Sequence, residues 1–258
     1  MPKSIYTAMS GAVARLRQLD QASHNLANVQ TVGFRQTRLA FDQVRAGMPG
    51  SLRNQPALPM SPRNLPADTV YTATQRQRVS TRAGAVTRTD NPLDVALHGD
   101  GFLVLEGQPV TLTRDGRLHL DDQGNLRHAS GLAVQVTRDG AAGPLRVDPG
   151  APLLIDAQGR VCSAGRVLGQ LQIATVADPG QLAMHGAGVY SANAGQPLIL
   201  ASETLVEAGA VEESNADPLG SLIELIAAQR GFELAERVLQ VAVDLDRKAS
   251  SDVGQVKS

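Results

Sequence analysis

Five histidines, one cysteine and 25 acidic residues are the groups with which this 258-residue chain could do chemistry. His24, His98, His119, His128 and His185 contain no pair at the spacing that sets two imidazoles on one helix face for zinc. The Asp and Glu residues fall mainly at turns or along helix faces. His98-Gly99-Asp100-Gly101 has the outline of a hydrolase oxyanion loop, but no Gly-x-Ser-x-Gly elbow follows it. In Val161-Cys162-Ser163-Ala164-Gly165 a valine stands where the first glycine is needed. Gly186-Ala187-Gly188 lacks the third glycine of a dinucleotide fingerprint, and Asp121-Asp122-Gln123-Gly124-Asn125 lacks the distal glutamate of a calcium loop. Both read as hairpin turns. Cys162 has no second cysteine to pair with and reads as a small buried hydrophobe in a β run. The expectation is a protein that is not an enzyme, with no catalytic or metal-ligating residue, no cofactor and no small-molecule substrate.

Composition narrows the binding classes. Aromatic residues make up 3% of the chain and tryptophan is absent, too little to build a stacking platform for bases or sugars. No nucleic-acid partner is expected. No apolar run approaches the roughly 18 to 20 residues of a membrane span, and Arg15 and Arg17 interrupt the opening segment where a secretory signal would need its apolar stretch. A soluble chain without a cleaved signal is the expectation. Net charge is −1, yet residues 1–40 hold five basic and one acidic side chain while residues 199–258 hold five basic and eleven acidic. The two ends are electrostatically complementary, which favours attraction between them over binding to a polyanion.

The elements that carry these residues follow from periodicity. Residues 2–30 read as a helix with a seam of Ile5, Met9, Ala12, Leu16, Leu19, Ser23 and Leu26 at alternating steps of four and three, and Gly33 is placed to end it. Residues 34–47 have room for a further helical turn or two. Between Ala46 and Pro66 stand five of the 14 prolines, the mark of an extended arm. Val70 to Thr89, with Arg76, Arg78, Arg82 and Arg88 and no acidic residue, reads as a strand ribbon whose arginines face solvent or an acidic neighbour. From residue 91 to 200 short apolar runs alternate with turns at Asp115-Gly116, Gln123-Gly124, Asp139-Gly140 and Gln158-Gly159, the pattern of antiparallel hairpins. After Asp217-Pro218 a second helix runs to about Ser250, with a seam of Leu225, Ala228, Phe232, Ala235, Leu239 and Ala242 flanked by Leu222 and Ile226. The expected fold is α+β: long terminal helices forming a coiled-coil-like layer and enclosing an all-β antiparallel domain. Its parts are an N-terminal assembly helix (1–33), a proline-rich arm and ribbon (34–90), an all-β domain (91–205) and a C-terminal assembly helix (206–258). Apolar seams at both chain ends suit subunits that assemble through their termini, with Ile5, Met9, Leu16, Leu19, Leu26, Leu222, Leu225, Ile226, Phe232 and Leu239 as the expected interface.

Three stretches also resemble a family. Ser10-Gly11 with Asn25-Leu26-Ala27-Asn28 and Thr31-Val32-Gly33-Phe34-Arg35 resembles the N-terminal signature of the flagellar rod and hook proteins. Asn91-Pro92-Leu93-Asp94-Val95-Ala96-Leu97 with Gly99-Asp100-Gly101-Phe102, then Thr113-Arg114-Asp115-Gly116, resembles the start of their β domain. Ser214-Asn215, followed by Ala228-Gln229-Arg230-Gly231-Phe232, resembles their C-terminal helix, with Gly231 and Phe232 where alanine and tyrosine are commoner. Within the family the opening resembles the proximal rod member most and the distal rod member next. The resemblance implies a structural subunit of the bacterial flagellar basal-body rod, exported through the type III apparatus into the periplasm and partnered by other rod proteins and copies of itself. The alternative outside the family is a β-domain binding protein on a closed coiled-coil stalk.

Overall fold

The computed structural model describes residues 3–45, 70–148, 150–186, 188–192, 196–201 and 203–255. The chain divides into two compact units, one made of Ala27–Thr37 and Arg78–Asp217, the other of Met1–Leu26, Arg38–Gln77 and Pro218–Ser258.

The first unit is built from short antiparallel strands. A six-stranded sheet runs in the order Ala183–Gly186, Val189–Ser191, Thr111–Thr113, Phe102–Leu105, Ile173–Val176, Leu198–Leu200. Its strand Phe102–Leu105 is buried along its whole length. Because successive side chains point to opposite faces of a strand, Leu103 and Leu105 enter one core with Val95, Leu126, Val134 and Val161. Phe102 and Val104 enter a second core with Leu112, Val176 and Tyr190. A five-stranded sheet in the order Ala141–Pro144, Gln135–Arg138, Arg166–Leu171, Arg160–Ser163, Leu153–Ile155 closes the first core with Val136, Leu171 and Ile155.

The turns follow backbone chemistry. At Asp139-Gly140 both residues have positive φ, 52° and 82°, which matches the right-handed twist of the flanking strands. Ala164-Gly165 makes the same turn at 49° and 77° with an alanine in the strained first position, so the sequence carries no strong sign of it. Asp115-Gly116 is not a hairpin tip. A Cβ on Gly116 would lie 1.7 Å from the Val95 carbonyl oxygen, and the Val95 amide donates to the Gly116 carbonyl at 3.0 Å, so the glycine permits a crossing of two backbones. Cys162 is half-exposed rather than buried: its strand alternates, and it stands in a row with Leu154 and Val167 on the outward face of the five-stranded sheet.

The second unit holds both long helices, α1 (Lys3–Ala27) and α2 (Pro218–Gln255), and a two-stranded ribbon of Thr37–Arg45 against Val70–Val79. Thr37–Arg45 is a strand where a further helical turn was expected, because the chain enters it already extended at Gln36, whose carbonyl accepts from the Ser80 amide at 2.8 Å. The proline-rich stretch 46–66 and the side chains of Ile5 and Arg76 lie outside the described residues. α1 ends at Ala27, six residues before Gly33.

The expected coiled-coil-like layer is not what the helices form. Met9 and Leu16, both in the α1 seam, are exposed, whereas the covered residues of α1 are Ala14, Ala22 and Asn25. On α2 the fully covered residues are Ser221 and Ala228. Small side chains allow close approach: a Cβ on Gly231 would stand 3.1 Å from Arg15 Cδ. A knobs-into-holes layer needs large apolar knobs buried at the contact, and here no large apolar side chain of either helix is fully covered among the described residues while many are exposed. Among the described residues one unit holds two helices and a ribbon without two interlocked apolar seams, and the other holds the antiparallel sheets.

One acidic group of the β unit fixes a testable pH dependence. Burial pushes the Asp115 carboxyl up, but hydrogen bonds from His128 and Arg117 outweigh it and hold it down at about 2. The Arg117 contact is 2.6 Å and the His128 contact 3.4 Å. Because the folded value is depressed, the stabilisation is complete above the ordinary carboxyl range near pH 4 and is lost as pH falls through about 2. Asp115→Asn should therefore cost about 2 kcal/mol at pH 7. Urea titrations at pH 7, 4 and 2.5 should show the gap between the two proteins closing toward the lowest pH.

Candidate assembly interface

Two features stand out once the elements are in place: a buried clasp that ties the segment after α1 to the segment before α2, and an apolar stripe along α2 that is exposed among the described residues.

The clasp is made by residues 33–36 and 212–215. The Gly33 amide donates to the Glu212 carbonyl at 2.7 Å, and the Asn215 amide donates to the Phe34 carbonyl at 3.2 Å. Asn215 Oδ1 accepts from the Gln36 amide at 2.6 Å, and its Nδ2 donates to the Arg82 carbonyl at 2.5 Å. Phe34 has no exposed surface. Gly33 has φ +69°, and a Cβ there would lie 2.2 Å from the Asp115 amide nitrogen. Its glycine is demanded by this approach of two backbones rather than by the end of a helix.

The Glu212 side chain is the centre of the clasp. It is 1% exposed and lies between two arginines, with Oε1 2.6 Å from Arg35 Nη2 and Oε2 3.1 Å from Arg114 Nη1. Oε1 also accepts from the Gly84 amide at 2.9 Å. Both guanidiniums, 3% exposed, also donate to carbonyls through their Nη groups: Arg35 to Thr81 at 2.8 Å and to Arg82, Arg114 to Leu97 at 3.1 Å and to Gly99. Arg114 also lies 5.2 Å above the Phe102 ring, a favourable cation–π position. Tyr190 accepts from the Arg35 amide at 2.8 Å, and burial pushes its phenol up to about 12. Burial, and next the charge of Arg35, lower Arg114 to about 10 against the opposing pull of Glu212. Sequence reasoning took Arg35 and Arg114 only as motif residues and did not single out Tyr190 or Glu212, because each acquires its role from partners 12 to 177 residues away.

The stripe on α2 runs through Leu219, Leu222, Ile223, Ile226, Leu234, Val238, Val241 and Leu245, each between 43% and 66% exposed. These positions follow one another at helical steps, interrupted by the exposed Arg230, and span about 39 Å at 1.5 Å per residue. An isolated exposed leucine needs no explanation, but an apolar stripe of this length is a candidate contact surface. Met9, Val13 and Leu16 form a shorter counterpart on α1. Of the expected interface residues, Met9, Leu16, Leu222 and Ile226 lie on these outward faces, while Leu19, Leu26, Leu225, Phe232 and Leu239 are half-buried. Of the motif residues, Asn25, Asn28, Gly33 and Phe34 are buried, Ser214 and Asn215 half-buried, and Ala27, Gln229 and Arg230 exposed. Nothing in this arrangement brings acid, base and nucleophile together in a cleft; its chemistry is burial and pairing.

The clasp and the stripe coincide with what is shared with known proteins. Residues 5–35 match the family described as flagella basal body rod protein, and residues 207–252 match the flagellar basal body rod FlgEFG protein C-terminal family. The flagellar basal-body rod protein FlgF of Mesorhizobium japonicum is 27% identical over 98% of this chain and 99% of its own length. FlgF of Escherichia coli is 29% identical over 95% of each chain, and FlgG of Bacillus subtilis is 28% identical over 96% of this chain and all of its own.

Gly33→Ala tests the clasp geometry. The added methyl meets backbone on both sides of the Arg114-Asp115 peptide while the positive φ adds strain. The substitution should destabilise the β unit by at least ~2 kcal/mol, seen as a lower urea midpoint with an unchanged slope.

Proposed function

We infer that this chain is a structural subunit of the flagellar basal-body rod, resembling FlgF. It is not an enzyme, and its place is the rod of the basal body. The observation that carries this reading is that the two matched segments are the ones that bear the outward apolar faces of α1 and α2 and the clasp at their roots.

Within the rod, the chain takes the proximal position and contacts copies of itself and other rod subunits through the terminal helices. A face that meets a different face on its neighbour gives a contact that does not close, and repeated contacts of that kind build a helical tube. The large apolar side chains of α2 suit such contacts, since each removes roughly 1.5 to 3 kcal/mol worth of apolar surface from water when fully covered. Torque then passes from subunit to subunit through broad buried areas rather than through a single bond. A helix whose apolar face lacks a partner is marginal by itself, which suits a chain that passes through the flagellar type III export apparatus before it reaches its neighbours in the periplasm. The two-family likeness supports FlgG, the distal rod protein, as the second position to test.

Two experiments decide these points. Leu16→Asp and Ile226→Asp place a carboxylate where the neighbour should pack, at a cost of several kcal/mol in a buried interface. Each protein should keep the melting transition of its β unit yet fail to enter basal bodies, scored by fractionation and swimming; full motility with either variant would refute the interface. Expressed in strains lacking either subunit type, the native chain should restore the rod of the strain lacking FlgF and not that of the strain lacking FlgG, and the reverse pattern would move it to the distal position.

A further inference from the structure

The clasp contains two arginines and one glutamate, so the buried cluster carries a net positive charge as it stands. No other acidic side chain among the described residues forms an ion pair with Arg35 or Arg114. Without the Glu212 carboxylate the two guanidiniums would face one another across a site closed to water, where like charges repel strongly. The geometry also sets an order. Residues 33–36 find their partners at Ser80, Thr81 and Arg82, at Tyr190 and at Glu212 and Asn215, all later in the chain, whereas Arg114 lies against Phe102 and the Leu97 and Gly99 carbonyls using residues that are near it in sequence. Arg114 is therefore seated by its sequence neighbours, whereas Arg35 is seated only by partners 46 or more residues away, and the charge it meets there is that of Arg114 unless Glu212 stands between them.

We propose that the Arg35–Glu212–Arg114 cluster is an electrostatic lock that admits the segment after α1 to the β unit only once the strand before α2 is seated. Until Glu212 is in place, Arg114 repels Arg35 and holds residues 33–36 out. Once Glu212 bridges the pair, the two guanidiniums hold four further carbonyl acceptors, those of Thr81, Arg82, Leu97 and Gly99, and the two helix roots become fixed together. The lock makes presentation of the N-terminal helix root conditional on the arrival of residues 212–215, so that a chain whose C-terminal part is unfinished or displaced does not offer a rigid N-terminal root. Glu212 is a positioning residue in this scheme. The inference concerns folding within one subunit and stands whether or not the chain occupies the rod.

Hydrogen exchange on the full-length chain tests it, read at the amides of Gly33, Arg35 and Gln36 and, as a reference, at Leu103, Val104 and Leu112 in the central strands. Glu212→Gln keeps the shape but removes the charge, and should lower protection at the three clasp amides by about a hundredfold or more while the reference amides stay protected. Removing the second positive charge in Arg114→Met/Glu212→Gln should then return at least about tenfold of that protection, because the repulsion is gone. Unchanged clasp protection in Glu212→Gln overturns the lock. So does equal loss at the reference amides, which would make Glu212 an ordinary core residue. A double variant as open as the single one overturns the repulsive mechanism, leaving only lost hydrogen bonds.

Discussion

A carboxylate removed from water is one of the most costly groups a fold can carry, and Glu212, 1% exposed, is carried because two guanidiniums and a backbone amide meet it. Those arginines are as deeply placed, and each is held by main-chain carbonyls that the β unit must supply in fixed positions. The cluster therefore specifies geometry more than it adds net stability. Replacing such a group by apolar side chains is often neutral or better for stability in other proteins, whereas removing one member leaves an uncompensated charge. The structure depends on it because it is where the beginning and the end of the chain are joined, through Gly33–Glu212 and Phe34–Asn215 main-chain bonds on either side of the ion pair.

Around that point the chain distributes its apolar residues in two ways. In the β unit, strands such as Phe102–Leu105 are used on both faces, and two cores fill with valine, leucine and isoleucine. In the helices the fully covered positions among the described residues are alanine, serine and asparagine, while most leucines and valines of α2 are exposed. A monomer that maximised its own stability would do the reverse. The β unit buries its apolar residues within one chain, while the helices leave theirs exposed, the division expected of a subunit that assembles through its helices.

Much of this was legible beforehand, and the parts that were not have physical reasons. The strand content of residues 91–200 showed in short apolar runs punctuated by Asn, Asp and Gly, because turns with positive φ demand those residues locally. Helix positions showed in the steps of three and four, and Pro218 opens α2 as expected. What periodicity could not assign was which side of a helix would be covered. The Ile5-to-Leu26 seam of α1 is apolar and regular, yet the side that is covered carries Ala14, Ala22 and Asn25, since close approach favours small groups when another surface is to take the large ones. The ion cluster was illegible for a different reason: Arg35, Arg114 and Glu212 are ordinary surface residue types, 79 and 98 positions apart, and nothing local distinguishes a buried glutamate from an exposed one. Gly33 was noticed, but for helix termination; its steric role needs the position of Asp115, which only the fold provides.

Charge bears on the kind of assembly that the exposed faces permit. α1 carries three basic residues and one acidic, while α2 carries four basic and six acidic. Two copies of α2 laid against each other would bring like net charge together, and so would two copies of α1, whereas α1 against a neighbour's α2 brings opposite charge together. A closed twofold dimer places identical patches face to face; a head-to-tail contact places different patches face to face. The charge balance thus favours the second, open arrangement that a rod needs. The effect is modest per pair, about 0 to 1 kcal/mol for exposed ions, and is screened beyond roughly 8 to 10 Å at physiological salt. Its influence falls on which encounters are productive rather than on how firmly a finished contact would hold, and that firmness scales with apolar area of the kind the stripe exposes. Selection by charge and adhesion by apolar area are separate properties of the same helix, and that separation lets the free subunit carry an extended apolar face without a built-in preference for pairing with its own kind face to face.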